Sequence, residues 1–170
     1  DVFMDEASVT ATENALMAAS LAPGTTLLRN AASEPHVCNL ARMLNRMGAQ
    51  ISGIRTNTLE IQGVDRLNGC EHTIESDYLE IGSFIGLAAV TRSPLTINQV
   101  QPDSLRMIRL VFDRLGIRTE VNGHQLFVPE DQELTIKRDY HGHVPKIDDA
   151  PWPAFPTDLM SIVITVATQC

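Results

Sequence analysis

Lysine is nearly absent: only Lys137 and Lys146 occur in 170 residues, and the eleven arginines are scattered along the chain. Acids outnumber bases by 21 to 13, a net charge of -8, which excludes a broad electrostatic footprint for nucleic acid. An anionic ligand therefore needs arginines gathered by the fold, or bases from outside these residues. Cysteine is equally sparse. Cys38, Cys70 and Cys170 are odd in number and far apart, with no CxxC and no metal-type spacing, as expected of reduced thiols in a cytosolic protein. No run reaches the ~18 apolar residues of a membrane helix, and the start lacks a signal peptide's basic stretch. Neither GxGxxG nor GxxxxGKS/T occurs, so a standard nucleotide loop is not supported. An initiating Met is missing too, and the last residues, ITVATQC, lie within an apolar helical run. The chain is expected to be a piece of a longer protein.

What is present is enough for a core, with 44% apolar and 20% charged residues, and it is organised by a repeat. LAPGTTLLRN (Leu21 to Asn30) resembles AVTRSPLTIN (Ala89 to Asn98), and sixty-eight residues separate Leu27 from Leu95, Leu44 from Phe112 and Gly48 from Gly116. Each copy reads as a first helix that is apolar almost all round, a strand, a second helix with one apolar stripe, and a hairpin. The stripes are Val37, Leu40, Ala41, Leu44 and Met47, then Leu105, Ile108, Phe112 and Leu115, whose spacings of three and four share one helix face. Gly48 and Gly116 end these helices. The hairpins turn through RTN before Thr58 and NGH before Gln125. One further strand is expected before each first helix, and a third unit opens at FPTDLMSIVITVATQC. Helices apolar on every side are expected to be buried on every side, which predicts an inside-out α/β architecture.

Candidate site residues cluster at helix starts, where capping and function compete. Ser8 or Thr10 can cap the first helix, and TATE (Thr10 to Glu13) fits a capping box. The free N–H groups there can equally hold phosphate. Glu34 before Pro35, and Asp77 with Glu80, fall where N-terminal acids are expected. Near the end, PWPAFPTDLM surrounds one carboxylate, Asp158, with Pro151, Pro153 and Pro156; Thr157 is expected as N-cap and Asp158 as its first-turn acid. The HGH at His141 to His143 lacks further ligands at metal spacing and reads as a solvated loop.

Taken together, ASVTATENALMAASLAPGTTLLRNAASEP, LARMLNRMGAQISGIRTNTLEIQGVDRL and PWPAFPTDLM resemble the enolpyruvyl transferases, over nearly all of the chain. The FPTD motif with its proline-aromatic lead-in resembles the sugar-nucleotide branch rather than the shikimate one. The resemblance implies an inside-out α/β barrel fold of repeated units, with residues 1–75 the last unit of one domain and 76–170 the first part of a second. It implies transfer of the enolpyruvyl group of phosphoenolpyruvate to the 3-hydroxyl of UDP-N-acetylglucosamine, with release of phosphate, at the first committed step of peptidoglycan precursor synthesis. Asp158 would accept the hydroxyl proton. Ser8, Val9 and Thr10 would contact the uridine diphosphate, and Glu34 and Asp77 would be supporting acids. No cofactor and no metal are implied, and the partners are the two substrates and the rest of the same chain, without nucleic acid or membrane.

Three positions depart from the family pattern: Glu6 where lysine is usual, Thr10 where glycine is usual, and Tyr78 where an arginine often follows the aspartate. Glu6 reverses charge beside the expected diphosphate, and a β-branched Thr10 is expected to resist a glycine-type backbone angle. These changes keep two alternatives open: a sibling transferase with another nucleotide acceptor, or a non-catalytic copy that binds a sugar nucleotide or a protein.

Overall fold

Left-handed turns punctuate the backbone at matching places in the two repeats. Gly24 and Arg92, Gly48 and Gly116, and Arg55 and Gly123 all have positive φ, each pair sixty-eight residues apart in number. A computed structural model describes all 170 residues, which divide into two units, Asp1–Glu75 and Ser76–Cys170.

In the first unit, β1 (Val2–Phe3) and α1 (Val9–Ala19) precede β2 (Thr25–Arg29), α2 (Pro35–Arg46), β3 (Gln50–Ser52) and β4 (Thr58–Gln62). The strand order is β1-β2-β4-β3, with β1 parallel to β2 and the other pairs antiparallel. Alternation decides the faces of β4: Leu59 and Ile61 are buried while Glu60 and Gln62 are exposed. Those two residues, Leu28 of β2 and Ile51 of β3 form one core with Leu16 of α1 and with Val37, Ala41 and Leu44 of the α2 stripe.

The second unit repeats the plan with α3 (Tyr78–Val90), β5 (Leu95–Asn98), α4 (Arg106–Arg114), β6 (Glu120–Asn122) and β7 (Gln125–Val128). A 3-10 turn, Pro102–Leu105, leads into α4, and the antiparallel order is β5-β7-β6. The α4 stripe is wholly inside, Leu105, Ile108, Phe112 and Leu115 being at most 3% exposed. After β7 the chain runs without regular structure to a second 3-10 turn, Thr157–Leu159, and α5 (Met160–Ala167). Gln132 anchors that stretch from a buried position. Its side-chain amide donates to the carbonyls of Pro129 (2.7 Å) and Arg118 (3.2 Å) and accepts from the Arg118 N–H (2.8 Å).

Two expectations are corrected. The first helices are not covered on every side: Met17 of α1, Phe84 and Leu87 of α3 and Ile164 of α5 are exposed. The apolar surface that these side chains present meets solvent. Nor does a strand precede α3. Residues 64–77 contain none; polar side chains of α2 hold that stretch. Arg46 donates to the Glu71 carbonyl (3.2 Å), Asn39 meets His72 (3.1 Å), and Arg42 pairs with Glu75 (3.0 Å).

Candidate active site

Two parallel helices set the frame in the second unit. α3 presents Gly82 and Gly86 to α5, and a side chain at either would collide. A Cβ at Gly82 would stand 2.5 Å from Leu159 Cδ1, and one at Gly86 2.7 Å from Ile162 Cγ2. The missing side chains let Leu159, 1% exposed, sink against α3. Its chain neighbour is Asp158.

The loop before Asp158 is closed on itself. The Ala150 N–H donates to the Phe155 carbonyl (3.1 Å), Ala154 N–H to that of Pro151 (3.1 Å), and the Thr157 hydroxyl to Asp149 Oδ2 (2.6 Å). Phe155 is buried in the core, and the Trp152 and Tyr78 rings meet edge to face, centroids 5.4 Å apart at 68°. Thr157 is therefore not the N-cap that was expected. That place falls to Pro156, which has no side-chain cap, because the hydroxyl is engaged sideways by Asp149.

The Asp158 carboxylate is exposed in the first turn and makes no hydrogen bond or ion pair within the chain. Capping thus accounts for it only through the helix dipole. Its acceptor atoms are open to a hydroxyl from outside. Asp77, in the same unit, is the N-cap of α3, and its Oδ1 accepts from the Leu79 N–H (2.8 Å). One oxygen of that carboxylate is thereby committed to the backbone.

In the first unit Ser8 caps α1, its hydroxyl accepting a long bond from the Ala11 N–H (3.4 Å). The Thr10–Glu13 capping box does not form, because the helix already begins at Val9 and its third residue is Ala11. The first-turn N–H groups of Val9 and Thr10 have no intrahelical acceptor, as at any helix start, and suit an anion. Thr10 lies within α1 and has no positive φ, so the backbone conflict expected of a β-branched residue does not arise. Glu6 is exposed, its carbonyl accepting from the Ser8 N–H (2.8 Å). Glu34 is the N-cap residue of α2 but caps nothing with its side chain; it is buried, with Oε2 unpartnered.

Sequence reasoning missed Thr12 and the Tyr78–Trp152 pair. Thr12 is fully buried; its hydroxyl donates to the Ser8 carbonyl (2.7 Å) and accepts from the Ala32 N–H (3.0 Å), fastening the start of α1 to the segment after β2. A polar residue on the inward face of an apolar helix was the available signal. The aromatic pair has no local signal, its members being 74 residues apart in number. No group of three or more His, Cys, Asp or Glu side chains is arranged to hold a metal, and the HGH loop is exposed. A groove of about 440 Å³ beside α4 and β6 is lined in part by Arg106, Arg109 and Arg118. All three are engaged, on Asp103, Thr119 and Asp131 respectively.

The model of the family described as EPSP synthase (3-phosphoshikimate 1-carboxyvinyltransferase) matches residues 1–169. Over 169 residues, 99% of this chain, the chain is 60% identical to a Treponema denticola protein named UDP-N-acetylglucosamine 1-carboxyvinyltransferase. It is 59% identical over its whole length to one of the same name from Bradyrhizobium diazoefficiens. It spans 40% and 39% of the lengths of those relatives. Among solved structures, the enolpyruvyl transferase NikO from Streptomyces tendae shares the fold, with a TM-score of 0.72 at 18% identity over 93% of this chain and 36% of that one.

Proposed function

The chain belongs to the EPSP synthase (3-phosphoshikimate 1-carboxyvinyltransferase) family with an α/β enolpyruvyl transferase fold, and from that premise we propose that it serves a protein that transfers the enolpyruvyl group of phosphoenolpyruvate to the 3-hydroxyl of UDP-N-acetylglucosamine. The observation that carries this reading is the identity of 60% and 59%, over essentially the whole chain, to two relatives that bear that acceptor in their names.

In the proposed reaction the hydroxyl oxygen bonds to C2 of phosphoenolpyruvate while C3 gains a proton; phosphate then leaves C2 as C3 gives up a proton, which restores the C2–C3 double bond as the enol ether. A hydroxyl is a weak nucleophile at neutral pH, so its proton needs an acceptor within hydrogen-bond reach as the C–O bond forms. Asp158 takes that proton. The exposure of its carboxylate and its lack of any internal partner support the role. Ser8, Val9 and Thr10 receive the diphosphate at the start of α1, where unpaired N–H groups favour negative charge. Glu34 and Asp77 act as supporting acids. No cofactor is required, since the phosphate ester itself supplies the leaving group.

The first unit is the last repeat of one inside-out domain, and the second unit begins another. The half-exposed apolar faces of α1, α3 and α5 support this, because further repeats of the same kind would cover them. The basic groups that hold phosphoenolpyruvate come from the rest of the protein, since there are only two lysines and the three arginines gathered beside α4 are engaged on Asp103, Thr119 and Asp131. The 170 residues alone are therefore expected to have no turnover. The reaction is placed in the cytoplasm, on the way to peptidoglycan.

The test is phosphate release from phosphoenolpyruvate by the full-length protein, with and without UDP-N-acetylglucosamine. Release that requires the sugar nucleotide is expected, and Asp158→Ala is expected to lower turnover by about 10²–10⁴-fold, the range of a general base. Near-normal turnover in Asp158→Ala would remove the assignment of that residue. Release only with a different nucleotide would establish a sibling transferase, which the acid at Glu6 favours. No release from folded protein with any acceptor would leave a binding role.

A further inference from the structure

We propose that the edge-to-face contact between Tyr78 and Trp152 is a positioning clasp that fixes where the Asp158 carboxylate stands. The inference rests on the role proposed for Asp158. That carboxylate has no hydrogen bond or ion pair of its own, so nothing but its backbone holds it in place. The hydrogen bonds of the preceding loop, Ala150 to Phe155, Ala154 to Pro151 and Thr157 to Asp149, tie the loop only to itself. They make it a stiff unit without seating it.

Seating comes from side chains. Leu159 sinks at Gly82 and Phe155 is buried in the core, which gives two anchors near the end of the loop. Two anchors define an axis, about which a stiff loop can still rock. Trp152 supplies the third point, against Tyr78, which is 4% exposed as the first residue of α3. An edge-to-face pair has a preferred geometry that a greasy contact lacks, so it selects one tilt of the loop. Tyr78 directly follows Asp77, whose carboxylate is fixed by the Leu79 N–H. The clasp therefore also sets the spacing between the two acids of this unit.

A base displaced by about 1 Å loses on the order of 10²-fold in rate, while substrate binding made elsewhere is untouched. In the full-length protein, Trp152→Ala is expected to lower kcat by about 10- to 100-fold with the KM for both substrates within about threefold. Trp152→Phe, which keeps an aromatic ring, is expected to recover most of the loss. Tyr78→Leu keeps the core filled but removes the ring together with any further contact of Tyr78, and is expected to lose at least as much turnover as Trp152→Ala, the double variant being no worse than Tyr78→Leu alone. A purely structural contact would lower the melting temperature and leave kcat per folded molecule unchanged. Should Trp152→Ala fail to fold, Trp152→Leu and Tyr78→Leu carry the same expectation. Turnover within threefold of the parent in these folded variants would overturn the clasp. Asp158→Ala, run in parallel, separates the two ideas: if it too retains turnover, the role of Asp158 has failed, and if only it loses turnover, the clasp alone has failed.

Discussion

Replacing Gly82 by alanine sets two effects of opposite sign against each other. Alanine in a helix interior is favoured over glycine by about 1 kcal/mol, which would stabilise α3. The new Cβ, however, would stand 2.5 Å from Leu159 Cδ1 and 3.2 Å from Cδ2, whereas carbon atoms settle at roughly 3.5–4.0 Å. The two methyl groups are the far end of a side chain that is 1% exposed, so they can move away from the new atom only by displacing neighbours in a packed core. The start of α5 has to retreat by about 1 Å, and overpacking of this kind costs about 1–3 kcal/mol. Overpacking wins, for a net loss of up to about 2 kcal/mol in urea unfolding of the full-length protein. Turnover is expected to suffer more than stability. On the role proposed for Asp158, which moves with Leu159, a shift of about 1 Å is worth on the order of 10²-fold. The decisive assay measures both quantities on one preparation. Turnover within twofold of the parent, alongside the expected loss of stability, would show that the α3–α5 contact does not set the position of Asp158.

Two further outcomes follow from buried groups. Gln132→Ala leaves the Arg118 N–H and the Pro129 carbonyl without their partner, and a cost of about 2–4 kcal/mol is expected; a change below about 0.5 kcal/mol in the urea midpoint would refute the anchoring role. Burial pushes the Cys38 thiol above its ordinary value of 9.0, against smaller opposing effects of a backbone hydrogen bond at Arg55 and the charge of Arg42. The folded state thus holds this proton more tightly than the unfolded one, so the thiol's contribution is full below pH 9.0 and is lost as pH rises above it. Cys38→Ala should flatten that alkaline decline, and iodoacetamide at pH 7.5 should modify Cys38 far more slowly than a free thiol. Rapid labelling of Cys38 in folded protein would contradict its burial.

The helices and hairpins were legible because their signals are local. The α2 and α4 stripes follow from 3.6-residue periodicity, and Gly48 and Gly116 end those helices with positive φ. The α3 boundaries, Tyr78–Val90, coincide with the apolar run YLEIGSFIGLAAV. The run preceding it misled, for VDRLNGCEHTIES is held by Arg42, Arg46 and Asn39 of α2, partners 25 to 33 residues away, and not by a strand. At the candidate site, the residue types and the motif around Asp158 could be picked out from the chain, as could the acids at Glu34 and Asp77.

The sequence by itself therefore determined which segments fold, which faces are apolar and which acids deserve attention, since each depends on residues a few positions apart. Only the tertiary structure decided which acids are open to a ligand. Asp77 is bound to a backbone N–H, Glu34 is buried, and Asp158 stands free in solvent. It alone brought Trp152 to Tyr78 and Leu159 to Gly82. Whether a side chain is taken or available depends on groups that are distant in the chain and adjacent in space, and no periodicity within the chain encodes that.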